Sequence, residues 1–140
     1  PIKMKKLFLI LAIALAVISC RDSVSDELDT KQIISLKVNS SDWVENTDNA
    51  GLNRFYSYHF PINEINSNIY NNGAVVGYIE LDGRQQALPY VRHFENSNGT
   101  MWTRTVDFDY LKGGVNIYVT NSDFVSDPPE TMNFRIVLIW

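Results

Sequence analysis

The chain of 140 residues carries 16 acidic and 12 basic side chains, a net charge of −4 that disfavours a phosphate backbone and excludes nucleic acid as the expected partner. With 45% apolar residues it can bury one core, while a single cysteine excludes an internal disulfide, a cysteine zinc cluster and a redox pair.

The first element is a twelve-residue apolar run from Leu7 to Ile18, opened by Lys5 and Lys6 and closed by Ser19 and Cys20. A basic start, a short apolar stretch and a small residue before the cut are the parts of a secretory signal peptide, expected here over residues 1–19. A spanning helix needs about 20 apolar residues, so the run is too short for a transmembrane anchor. Pro1, Ile2 and Lys3 stand before Met4 and are expected to be an upstream remnant. Val17-Ile18-Ser19-Cys20 resembles a lipobox, the cleavage site of bacterial lipoproteins. That resemblance implies lipidation of Cys20, which then becomes the first residue of the mature chain. An ordinary secretory signal with a cysteine there by chance is the competing reading. Each buried methylene contributes about 0.8 kcal/mol, and two or more acyl chains hold a protein stably on a bilayer. The expected address is therefore the bacterial cell envelope, lipid-anchored at the outer membrane, with surface display a further expectation.

Residues 20–30 comprise the cysteine and RDSVSDELDT, a polar and acidic composition that suits a solvated tether. Ten residues reach at most about 35 Å. The stretch resembles export signals of certain surface lipoproteins, from which Arg21 departs. Beyond Cys20 there are nine basic residues against sixteen acidic ones, for a net charge near −7.

Residues 31–140 are expected to form one domain. Ile34, Leu36 and Val38 share a face of a first strand, and Phe55 to Phe60 forms an aromatic strand ended by Pro61. Asn63 to Asn71 is expected to be a short helix, capped by Asn63 and left through Gly73 in a left-handed conformation. Val75 to Leu81 is the next strand, joined through Asp82-Gly83 to a segment from Gln86 to Phe94 that Pro89 makes an edge or breaks. Trp102, Val106, Phe108 and Tyr110 alternate with polar residues, and Arg104 interrupts the apolar row. Lys112-Gly113-Gly114 turns this strand into Val115, Ile117 and Val119, and the two should pair antiparallel. A connection from Asn121 to Thr131 is too long for a hairpin and should cross between sheets. Phe134 to Trp140 is apolar on both faces, which predicts a central and doubly covered strand. The fold class is all-β: an immunoglobulin-like or Greek-key β-sandwich of about seven strands with one short helix.

Asp42-Trp43, Asn72-Gly73-Ala74-Val75 with Tyr78, Leu88-Pro89-Tyr90 and Phe134-Arg135-Ile136-Val137 together resemble a family of small bacterial lipoproteins with an uncharacterised β-sandwich domain. The resemblance covers most of residues 40–140 and implies no catalytic residues.

Candidate chemistry is sparse. His59 and His93 lack metal-ligand spacing and are expected to be ordinary strand histidines. Asp107 and Asp109 share a strand face about 7 Å apart, which suits glycoside hydrolysis, or calcium with Asp123 or Asp127. A solvated outer face is the simpler reading, and no metal or other cofactor is expected. Trp43, Tyr56, Tyr58, Tyr90, Trp102 and Tyr118 are numerous for a small domain, and aromatic rings stack on sugars as readily as they fill cores. Tyr56, Tyr58 and Tyr118 are the candidate ligand-binding residues on the expectation that they face outward. There is no nucleophile elbow, phosphate loop or dinucleotide fingerprint. The expected function is a membrane-tethered, non-catalytic structural or interaction domain, whose partner is an envelope protein or a glycan. A surface glycan-binding module is the alternative, and an enzyme ranks third.

Overall fold

The computed structural model describes residues 30–124 and 127–140. The signal peptide expected over 1–19, the lipidation site Cys20 and tether residues 21–29 lie outside them. Apolar residues that recur every second position bury one face of the longer strands, and two such faces close on each other as a β-sandwich. One sheet has the order β1 (Lys31–Val38), β9 (Met132–Ile139), β4 (Ala74–Leu81), β5 (Arg84–Ala87). The other runs β2 (Val44–Thr47), β3 (Arg54–Pro61), β8 (Gly114–Asn121), β7 (Met101–Leu111), β6 (Tyr90–Glu95). Every pairing is antiparallel.

Leu36, Val38, Ile79, Phe134, Ile136 and Leu138 from the first sheet meet Tyr56, Val106, Val115, Ile117 and Val119 from the second. Full burial of each such side chain contributes roughly 1.5–3 kcal/mol, and a one-residue slip would turn the whole set to solvent. Trp43 sits at one end of this core, edge-on to Tyr58 at 6.5 Å and to Phe134 at 6.4 Å. Its indole N–H donates to the Glu130 carbonyl at 3.2 Å, which ties the long β8–β9 connection to the core. That connection does cross from one sheet to the other, as its length requires.

Four expectations need correction. The described residues contain nine strands rather than about seven, because β2 (Val-Glu-Asn-Thr) and the fully exposed β5 (Arg-Gln-Gln-Ala) bury no alternating face by which to recognise them. The helix, α1 (Ser67–Asn72), starts three residues late: Asn66 caps it by accepting from the Asn68 and Ile69 N–H groups at 2.8 and 3.1 Å. Gly73 leaves it in extended backbone, φ −98°, and is needed for space, since a Cβ would strike the Ile139 carbonyl oxygen. Finally, β9 is central but covered on one side only. Its outward Ile139 stays 43% exposed, and outward Val137 is half-buried between its register partners, Ile33 on β1, itself 48% exposed, and half-buried Val76 on β4.

Pro89 breaks the segment where expected, after a cis Leu88–Pro89 peptide. The break places β5 and β6 on opposite sheets, so the chain passes from one layer to the other at this flank.

Candidate functional site

On the outer face of the five-stranded sheet, the register of β3, β8 and β7 sets His59, Asn116 and Asp109 in one row, and Tyr118 beside Asp107 in the next. A hydrogen-bonded chain follows from that register. The Tyr118 hydroxyl donates to Asp109 Oδ2 at 2.9 Å, and the Asn116 amide donates to Asp109 Oδ1 at 2.7 Å. Because that amide nitrogen is committed to Asp109, the Asn116 oxygen accepts from His59 Nδ1 at 2.8 Å. Burial, then the Asp109 charge, pushes the Asp107 carboxyl above its ordinary value. Burial and the bond to Asp109 likewise raise the Tyr118 phenol. Phe55 packs edge-on to Tyr118 at 6.1 Å.

Asp107 and Asp109 therefore do share a face, but both Asp109 oxygens are occupied by neutral donors. Asp123 lies beyond the far end of β8, beside Arg104 and Trp102, and does not join the pair. Among the described residues, no three histidine, cysteine or carboxylate side chains are placed to hold a metal. Tyr118 faces outward as expected. Tyr56 and Tyr58 do not: Tyr56 is 6% exposed, and Tyr58 packs against the core beside Trp43 and Phe60. The pair shares a face, but it is the inner one, because the flanking partners Val119 and Ile117 on β8 point the same way. His93 lies on the edge strand, bonded to Thr103 at 2.8 Å.

A different set of aromatics is gathered at the flank where β5 gives way to β6. Arg84 and Gln86 on β5 pair with the inward-facing Leu81 and Ile79, so their side chains lie on the core side of that sheet, exposed at its edge. Tyr90 and Arg92 on β6 lie on the core side of the opposite sheet. Between these walls lies a cavity of about 450 Å³, which Asp82 also lines. Further along, Arg92 stands directly opposite Arg104 on β7, and Phe94 opposite Trp102. The Phe94 and Trp102 rings stack at 5.5 Å and 13°. Both guanidinium groups lean on Phe94, at 5.6 Å for Arg92 and 5.4 Å for Arg104. Arg104 is neutralised by Glu130, both of whose carboxylate oxygens accept from Arg104 Nη1 at 2.8 and 2.9 Å, and its Nε donates to the Asn121 side-chain oxygen at 3.0 Å. A second hollow of about 320 Å³ lies beyond Trp102 and Arg104, against Asn121, Asp123 and Asp127. Among the described residues, neither Arg84 nor Arg92 has a carboxylate within ion-pair distance.

This flank was missed in the sequence because its signal is split between two strands. Tyr90, Arg92 and Phe94 alternate on one face, as do Trp102 and Arg104. Either run alone reads as a strand with one charged interruption. Only pairing reveals that the interruptions coincide.

No family model, curated protein or solved structure matches this chain.

Proposed function

We propose that this chain is a bacterial envelope lipoprotein, held to the outer membrane by acyl chains on Cys20, whose β-sandwich binds a partner and does not catalyse. The Val17-Ile18-Ser19-Cys20 sequence and the acidic segment that follows support the anchor. The observation that carries the binding role is the flank cavity of about 450 Å³, which falls within the size range of ligand sites and is walled by polar side chains and one aromatic ring. Mass spectrometry of the protein isolated from cells should find Cys20 diacylated at the mature N-terminus. A free thiol or an uncleaved leader there removes the anchor. Turnover of ester, peptide or glycosidic substrates by the purified chain would argue decisively for an enzyme instead.

Between an envelope protein and a glycan as the partner, the flank favours a glycan. Tyr90, Phe94 and Trp102 stand there with guanidinium and carboxamide groups, which is the mixture of flat apolar faces and paired donors and acceptors that sugar hydroxyls and ring faces require. Screening the chain on a broad glycan array tests this reading. An array without a hit returns the partner to a protein.

A further inference from the structure

We infer that the flank between β5 and β6 is a binding site for a carboxylate-bearing sugar, with Arg84 and Arg92 clasping the carboxylate and Tyr90 facing the sugar ring. The inference rests on the glycan reading above and deepens it by naming the class of sugar.

Three observations carry it. Like charges placed directly opposite on neighbouring strands are destabilising, yet Arg92 and Arg104 are register partners. Glu130 neutralises only Arg104, so the second positive charge at this position has no carboxylate partner among the described residues. Across the cavity, Arg84 brings another guanidinium without such a partner, in a molecule whose net charge is −4. The planar fork of a guanidinium matches a carboxylate in bidentate fashion, and two such groups on facing walls leave room for the anion between them.

The remaining lining points to a sugar. Gln86 lines the same cavity, and its carboxamide donates and accepts, as vicinal hydroxyls do. Tyr90 adds a ring face with a polar tip. The long-range field of a net-negative protein opposes a densely charged polyanion, which favours a ligand with few, spaced carboxylates over nucleic acid or polyphosphate. Asp82, which also lines the cavity, reinforces this, because it repels a second anionic group placed close to the first.

The test is titration calorimetry of the full chain with trigalacturonate, using the neutral trisaccharide galactotriose and a triglutamate peptide as comparators. Trigalacturonate should bind at least about tenfold more tightly than either, and its affinity should fall as salt is raised. Arg84→Gln and Arg92→Gln should each weaken it by roughly tenfold. Both side chains are exposed, so neither variant should melt below the parent chain. Arg54→Gln, which alters an exposed arginine paired with Glu45 on the β2–β3 hairpin, should leave binding unchanged. Equal binding of galactotriose and trigalacturonate, insensitive to both flank arginines, overturns the carboxylate inference and leaves the glycan reading standing. Tighter binding of triglutamate overturns it in favour of an acidic peptide. No binding of any of the three overturns it outright, and the glycan array then decides the wider reading separately.

Discussion

Asp107 shows how a single side chain on an apparently bland outer face is placed under tension. Burial and the neighbouring Asp109 hold its folded pKa above the ordinary carboxylate value. The folded state therefore binds the proton more tightly than the unfolded chain does. Its stabilising contribution is full below the ordinary carboxylate pKa and is lost as pH rises through the raised folded value. Asp107→Asn should accordingly raise the melting temperature at pH 7, and the gain should vanish in melts recorded below the ordinary carboxylate pKa. A gain that persists in acid would mean that charge is not its source. Glu130 poses the opposite case, because it offsets an arginine that faces another arginine. Glu130→Gln should cost about 1 kcal/mol in denaturant unfolding. Part of that loss should return when Arg92→Gln is added, since the cross-strand repulsion is then relieved. Strict additivity of the two changes would show that the arginines do not sense each other.

At the scale of elements, strands that bury one alternating face were legible and those that bury none were not. Trp102 to Tyr110 and Val115 to Val119 are recognisable because their apolar residues recur with period two, and they do pair antiparallel. Asn63 and Asn66 are equivalent as caps in the sequence, and the choice between them is tertiary. Ile62 donates to the Gly113 carbonyl and Gly113 donates to the Ile65 carbonyl, so residues 62–65 are pinned to the β7–β8 turn and the helix begins after them. Asn66→Ala should cost about 0.5–2 kcal/mol, whereas Asn63→Ala should be close to neutral by the same unfolding measurement. The last strand sits between β1 and β4 and contributes Phe134, Ile136 and Leu138, all fully buried. Deleting residues 134–140 should therefore abolish cooperative melting, because it removes the centre of a sheet and part of the core facing Ile117. A retained cooperative transition would contradict the pairing of β9 with both neighbours.

For the molecule as a whole, anchor and domain should be separable. Cys20→Ser should move the protein out of the membrane fraction, while deletion of residues 21–29 should leave its melting temperature unchanged. The deletion stops at 29 because the Thr30 carbonyl already accepts the Trp140 N–H at 3.0 Å and so belongs to the ladder. The sequence alone determined what is written in consecutive residues. Strands are read from period two, and turns such as Asp82-Gly83 from residues that tolerate positive φ, here 49° and 74°. These signals are local, so no partner strand is needed to see them. The direction of a face is not local. Whether Tyr56 points to solvent or core, and whether the interruptions at Arg92 and Arg104 meet, depends on which strand lies alongside and in what register. Pairing between segments distant in sequence decides that, because alternation sorts residues into two faces without saying which one the opposite sheet will cover.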